Sequence, residues 1–582
     1  MEGLNRPLLL LLGLTLLLRL PFLNQAIQGD DHIYLTEAAH AQIDPLHPMN
    51  TKYVFLGDEV DLRGHSHPPL NGWILAAILA VVGDVREIPF HAVYILFSLI
   101  SVWAMWSLGR NVWEVLLFIA VPAFVVNGGS LEADLPFLAF WMASIALFTT
   151  GRVGWSVLAM ALAGLTAYQA ALLTPILAVF VWLHHRRGAT LWLATLTPPV
   201  TIVAWQAFER VTTGAWPAVV LATYFAQYHF QALDAKLQSA LALAIHSWFI
   251  VFPALIPPAV IAAWRKRHEP FTRFLVAWIM IFVAGSVVLF FAGSARYLLP
   301  MAAPVCLLAA RLPARWLAPA FALQLALALG LASVNYQHWN RYRRFARTLN
   351  TEGHRVWVDD AWGLRHYVER DCGGLLLRYT QELRDGDMVV ESLLGRAGEL
   401  IRPHMLVSRA EIRPRLPFRL IGIESHSGYS TVSRGFWPFG VSTGPIDIVS
   451  VWMIGQSEPK LTYLPMNAPE AEQQIVNGIY GLEDNRFRWI GPRATVLLKT
   501  PDQSAMLEAS FTIPDQAPAR RVTLLLDGSP VATQTYAAPG TYTLKSQDPV
   551  RGSSVQIEVD RTYFVPPDKR ELGIVLTAVG FR

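Results

Sequence analysis

Gln28-Gly29-Asp30-Asp31-His32 opens, and Gly64-His65-Ser66-His67-Pro68-Pro69-Leu70 closes, a polar segment caught between two hydrophobic runs. It sets paired carboxylates and a histidine-rich turn at a membrane face, in a chain that otherwise reads as a bundle of membrane helices. Hydrocarbon does not tolerate such groups, so they line water or a site. A first loop built this way points to chemistry at the membrane surface.

Composition supports that reading. The chain has 582 residues, 53% of them hydrophobic and 15% charged, and its mean hydropathy is +0.36. These values fit an integral membrane protein diluted by a soluble part. Twenty tryptophans suit interfacial belts. The net charge of +4 is small, and no basic run is interleaved with aromatics as nucleic acid would require. The two cysteines, Cys306 in a hydrophobic run and Cys372 in the soluble part, point to neither a disulfide framework nor a thiolate metal site.

Hydrophobic runs fall near 7–23, 88–108, 112–127, 131–150, 153–170, 172–184, 189–208, 239–264, 271–293, 296–311 and 315–334. They predict about eleven transmembrane helices, the first an uncleaved helix rather than a signal peptide. The run 68–83 is shorter and starts with two prolines, so it reads as a re-entrant or surface helix. His184-His185-Arg186-Arg187, Trp264-Arg265-Lys266-Arg267-His268 and Arg311-Leu312-Pro313-Ala314-Arg315 are short basic loops, which the positive-inside rule makes cytoplasmic. Counting spans then puts the loop 24–67, the turn Gly129–Asp134 and everything after Asn335 outside. Arg341, Arg343, Arg344 and Arg347 follow the last span and pull against this orientation, but long following domains translocate despite their charge.

Beyond residue 340 the pattern changes. Val356–Asp359 reads as a strand, Trp362–Glu369 as a short helix, and Leu375–Leu377 and Met388–Glu391 as strands, giving a small α/β module over 341–465. Over 466–582 short alternating strands at 494–499, 506–513, 521–526, 541–544, 555–559 and 573–579, with turn signals such as Asp527-Gly528 and Pro539-Gly540, predict a β-sandwich. The fold class expected is therefore a polytopic α-helical membrane domain, 1–340, followed by a soluble α/β module and a β-sandwich.

Four constellations carry possible chemistry. Asp30 and Asp31 are either a solvated loop and helix cap, or a general base or metal-binding pair held at the bilayer by a partly apolar helix over 33–42 bearing Tyr34, Glu37, Ala38 and Ala41. His65 and His67 ligate a metal only if the turn aims both rings inward; otherwise they are loop histidines or phosphate contacts. Glu132 and Asp134, in Asn127-Gly128-Gly129-Ser130-Leu131-Glu132-Ala133-Asp134, sit where a helix starts, which its dipole alone favours. Arg296, in Gly293-Ser294-Ala295-Arg296-Tyr297, either snorkels to the interface or grips a phosphate with its planar fork. The outer loop Tyr224–His229 and the helix end Tyr168-Gln169 face the same side. In the soluble part, Glu424–Tyr429, Phe436–Phe439 and Arg486–Trp489 bring aromatic loops that serve either packing or sugar stacking.

These segments, in this order, resemble the glycosyltransferase C superfamily, in the branch of protein O-mannosyltransferases and bacterial aminoarabinose lipid A transferases. The resemblance covers roughly residues 1–340 and rests on Asp30-Asp31, His67-Pro68-Pro69-Leu70, Leu131-Glu132-Ala133-Asp134-Leu135-Pro136, Ala167-Tyr168-Gln169-Ala170 and Arg296-Tyr297-Leu298-Leu299-Pro300. It implies transfer of a sugar from a polyprenyl-phosphate carrier to a glycan, lipid or protein acceptor, outside the bacterial cytoplasmic membrane. It further implies that Asp30 or Asp31 is the base, that Glu132 and Asp134 form a second acidic site, and that His65, His67, Arg296 and Tyr297 face the carrier phosphate. Tyr168, Gln169, Tyr224 and His229 are then candidate substrate contacts. The chain has Asp-Asp where family members often carry Asp-Glu, and His67 where some carry lysine. Metal dependence varies among the branches, so a divalent cation is left open. The sandwich would be an accessory sugar- or acceptor-binding unit.

Two other functions fit part of this pattern. A transporter or lipid flippase needs polar groups inside its spans, and few are seen. A membrane-anchored carbohydrate-binding protein explains the sandwich but not the many helices.

Overall fold

The computed structural model describes residues 6–55, 57–184, 188–227, 232–289, 292–351, 353–360, 362–378, 383–396, 404–455, 459–515, 517–565 and 570–582. The basic residues 185–187 and His229 lie outside this set. The region up to Thr348 is helical and apolar, and the region after it is rich in β-structure.

Prolines decide how the hydrophobic runs are cut. A proline has no N–H to give and pushes the preceding residue out of the helical region. The run 112–127 is therefore two helices, Val112–Ile119 and Pro122–Asn127. The run 189–208 becomes Ala189–Thr195 and Thr197–Thr213, bent by 50° ahead of Pro198. The run 239–264 breaks around Pro253 into Leu233–Ser247 and Ile256–Arg265. Among the described residues three helices are long and apolar enough to cross a membrane, Glu87–Gly109, Pro270–Val288 and Ala314–Thr348, or four if the bent pair is one span. Six shorter apolar helices accompany them, Leu70–Val82 and Asp134–Thr149 among these.

The last helix departs from expectation. Its hydrophobic run ends near residue 334, but the helix continues to Thr348. Asn335, His338, Trp339, Tyr342 and Ala346 are buried at helical spacing there, while Arg341, Arg344 and Arg347 stay exposed. The extension is an amphipathic stem whose apolar stripe packs on protein. Three of the four basic residues that pulled against the orientation form its outer face; the fourth, Arg343, is largely buried and pairs with Glu87 at 3.0 Å.

That stem enters a five-stranded sheet, ordered Leu375–Leu376, Val356–Asp359, Met388–Ser392, Asp447–Ile454, His404–Ile412. The first three strands are parallel, and helix Gly363–Cys372 makes the crossover. Buried Asp447 fastens stem to sheet, accepting from Tyr342 Oη at 2.6 Å, Ser392 Oγ at 2.7 Å and Leu394 N at 2.8 Å. The remaining chain forms a nine-stranded, antiparallel sheet around its own apolar core of Leu464, Ile490, Phe511, Leu524, Ile557 and Leu576. The strands expected to form two sheets are hydrogen-bonded into this one. It also takes in strands at Ile475–Glu483 and Ser529–Tyr536.

The outer loop is not a tether. Its helix Asp31–His40 buries Asp31, Ile33, Tyr34, Leu35, Glu37 and Ala38. Instead of lying on the bilayer, it is packed between helix Leu70–Val82 and helix Gly363–Cys372 of the α/β module. His32 Nε2 meets Glu369 at 3.1 Å, Arg365 Nη1 donates to the Val54 carbonyl at 2.7 Å, and Ile27 N donates to Tyr367 Oη at 2.8 Å. One apolar core runs without a break from the membrane helices into the module, through Val358, Leu364 and Val449.

Candidate active site

Asp30 occupies the N-cap position of Asp31–His40, yet its side chain makes no capping hydrogen bond. Its carboxylate turns instead to Arg296, with Nη2 to Oδ2 at 3.2 Å. The same guanidinium pairs through Nη1 with Glu132 and stands 3.6 Å from Asp134 Oδ2. Segments 102 and 266 residues from Asp30 thus meet it at one place. The side chain of Arg296 is 11% exposed, those of Glu132 and Asp134 8% and 10%, and that of Asp30 33%, so Asp30 is the carboxylate most open to solvent. Charges this buried are stable only when paired, and here three carboxylates share one guanidinium.

Two turns carry these groups. Arg296 lies on the single 3-10 turn Ala295–Leu298. Glu132 and Asp134 end the turn that follows Pro122–Asn127. The helix that leads into that turn is pinned by Arg19, which donates to the carbonyls of Phe124 at 2.6 Å and Val125 at 2.7 Å. Gly128 permits this approach, because a Cβ there would fall on the Arg19 guanidinium. From the other side Gln28 Nε2 donates to the Gly129 carbonyl at 2.7 Å. Gly29, at φ +44°, takes a conformation few other residues adopt and lies against Glu132, where a Cβ would stand 2.9 Å from Oε1.

Asp31 faces the other way. It is fully buried and accepts from Leu131 N at 2.7 Å, Ser130 Oγ at 3.0 Å and Gln28 N at 3.0 Å. Burial pushes its carboxyl up to about 7 against the pull of those donors, with a smaller push from Asp30. It is a strut between the first loop and the Ser130–Asp134 turn.

His65 and His67 lie on one side of this cluster, around Tyr34. The Tyr34 ring is 4.8 Å from His65 and 6.0 Å from His67. His65 Nδ1 donates to Glu37 Oε1 at 2.8 Å. Burial raises the Glu37 carboxyl while His65 draws it down. His67 is buried with Nδ1 3.3 Å from the Thr166 carbonyl. A carbonyl only accepts, so Nδ1 carries the proton and Nε2 a lone pair. Burial holds His67 down at about 3, leaving a neutral imidazole. Tyr34 and Glu37, read from the sequence only as part of an apolar helix face, therefore belong to the lining.

Tyr297 follows Arg296 and is buried under it, ring to guanidinium 5.8 Å. Tyr168 and Gln169 belong to another neighbourhood: Tyr168 Oη accepts from Gln206 Nε2 at 2.8 Å and its ring lies 6.1 Å from Trp205. Tyr224 is on helix Pro217–Gln227, not in a loop, and packs toward Phe55. His229 lies outside the described residues. Trp437 and Phe439 meet Phe249 edge-on at 6.2 and 5.3 Å, which is packing against the turn that follows helix Leu233–Ser247. Among the described residues no three His, Cys, Asp or Glu side chains stand in an arrangement that could hold a metal ion.

No protein-family model matches the chain, and no curated protein sequence matches it. Solved structures do. The chain is similar to a crystal structure of ArnT from Cupriavidus metallidurans bound to undecaprenyl phosphate. That likeness covers 66% of this chain and 93% of the other, at 13% identity and a TM-score of 0.44. A second is to the cryo-EM structure of arabinofuranosyltransferase AftD from Mycobacteria, covering all of this chain and 62% of the other, at 13% identity and a TM-score of 0.37. Similarities of this extent carry no activity with them.

Proposed function

We propose that the chain is a multi-pass glycosyltransferase of the bacterial cytoplasmic membrane. It moves a sugar from a polyprenyl-phosphate-linked donor to an acceptor hydroxyl at the outer face. The soluble modules stand outside the cytoplasm. The observation that carries the reading is the meeting of Asp30, Glu132 and Asp134 on Arg296 at the helix ends, with Asp30 the most accessible. The ordered sequence resemblance independently singles out the same residues.

In this mechanism Asp30 takes the proton of the acceptor hydroxyl as the oxygen attacks the anomeric carbon. The bond from that carbon to the phosphate oxygen breaks, and its electron pair leaves on polyprenyl phosphate. Single displacement inverts the carbon. Arg296 exchanges part of its carboxylate contact for the leaving phosphate and stabilises the charge developing there. Glu132 and Asp134 keep the guanidinium aimed. His67, as a neutral imidazole, offers a lone pair to a sugar hydroxyl.

The test is turnover of a panel of polyprenyl-phosphate sugars by purified protein with glycan, lipid and protein acceptors. Asp30→Asn should reduce kcat by about 10²–10⁴-fold. Arg296→Lys, which keeps the charge but loses the fork, should reduce it by about tenfold or more. Folded wild-type protein that turns over no donor with any acceptor sinks the reading.

A further inference from the structure

Tyr429 belongs to the α/β module by sequence but touches both turns that bear the charged cluster. Its hydroxyl donates to Asn127 Oδ1 at 2.8 Å, at the start of the turn leading to Glu132 and Asp134. Its carbonyl accepts from Ala295 N at 2.8 Å and from Ser294 Oγ at 3.0 Å, immediately before Arg296. The neighbouring Val432 N donates to the Ala292 carbonyl at 2.7 Å. Tyr429 is 6% exposed.

The loop behind it is braced. Tyr429 N donates to the Leu420 carbonyl at 3.1 Å and Gly428 N to the Trp437 carbonyl at 2.9 Å. Gly435 lies so close to the His426 carbonyl that a Cβ would overlap it. Phe439 seats the far side of the loop on Phe249. A loop held at so many points transmits position rather than absorbing it.

We propose that Tyr429 is a positioning residue for the site, fixing the Arg296 turn against the Asn127–Asp134 turn. The soluble module is then a structural part of the catalytic centre, not an appendage carried beside it. The kinetic consequence rests on the transferase reading; the bracing does not. Reacting groups displaced by about 1 Å lose about 10²-fold in rate, so a brace that sets the gap between guanidinium and carboxylates acts on kcat.

The experiment compares wild type, Tyr429→Phe, Ser294→Ala and the double variant, in full-length protein. Tyr429→Phe keeps the ring and the carbonyl and removes only the bond to Asn127. Each single variant should lower kcat by about tenfold with donor KM within about twofold, and the double variant further. Amide hydrogen exchange should quicken in segments 127–134 and 294–299 and stay unchanged in the nine-stranded sheet. A rise in KM at constant kcat, unaltered kinetics, or exchange that is unaltered or quickened everywhere overturns the proposal. If wild type turns over no donor, the transferase reading falls alone, and the exchange comparison still decides whether Tyr429 holds the two turns.

Discussion

Asp30 and Asp31 are neighbours in the chain and point in different directions: Asp30 reaches Arg296 at 3.2 Å, while Asp31 is sealed beneath Ser130 and Leu131. Their substitutions should separate accordingly. Asp30→Asn should reduce kcat by about 10²–10⁴-fold with the thermal midpoint little changed. Asp31→Ala strands three buried donors at about 1–3 kcal/mol each, so it should lower the midpoint by several degrees. Thermal unfolding alongside sugar release reads both. Equal losses of stability in the two variants would remove the distinction.

The burial of Asp31 also sets a pH dependence. Its carboxyl holds its proton up to about 7 in the folded protein and releases it near 3.8 when unfolded. Between those values the folded state binds the extra proton, so its contribution to stability is full in acid and is lost as pH rises through about 7. The thermal midpoint of wild type relative to Asp31→Asn should therefore fall from pH 5 to pH 7.5 and be flat above. A relative midpoint that rises over this range contradicts the assignment.

His67 should contribute no charge to donor binding. Burial keeps it neutral down to about 3, so donor KM carries no step from this residue between pH 5 and 8. A KM that worsens through pH 6.5 in wild type, and not in His67→Gln, would show a cationic histidine at the phosphate instead.

Gly128 lies under the Arg19 guanidinium that pins the carbonyls of Phe124 and Val125. Gly128→Ala forces that side chain or the turn to move, at about 1–3 kcal/mol. Activity should fall with stability, because the same turn carries Glu132 and Asp134. Gly151→Ala tests a different glycine: no atom crowds it, but its φ of +81° strains any side chain. It should destabilise the protein without a matching loss of kcat per folded molecule.

Local patterns were readable. The strand at Val356–Asp359 and the helix after it follow from a short β-branched run and its flanks, and the span Glu87–Gly109 from unbroken hydropathy. The acidic loop, the Glu132 turn and Arg296 each stood out as polar groups in apolar surroundings. What periodicity does not encode is that they converge, since packing across 266 residues decides it. Tyr34 and Glu37 were hidden because a helix buried on several sides looks like one lying on a membrane. The strand Ser529–Tyr536, rich in Thr and Gln with its outer residues exposed, lacks the apolar alternation that marks a strand. Asn127 and Tyr429 gave no local sign of pairing, being polar residues 302 positions apart.

The 35-residue helix Ala314–Thr348 has one further consequence. At 1.5 Å per residue it is about 52 Å long, against a hydrocarbon core of about 30 Å. Roughly 20 Å of it stands above the lipid as a continuous mast, its Tyr342 bolted to Asp447 in the sheet it carries. With no joint at the bilayer surface, the module is a fixed canopy over the acidic loop. The rigid helix therefore holds the module directly against the turns of the charged cluster, where Tyr429 is bonded to both, so access to the cluster does not depend on swinging the module away.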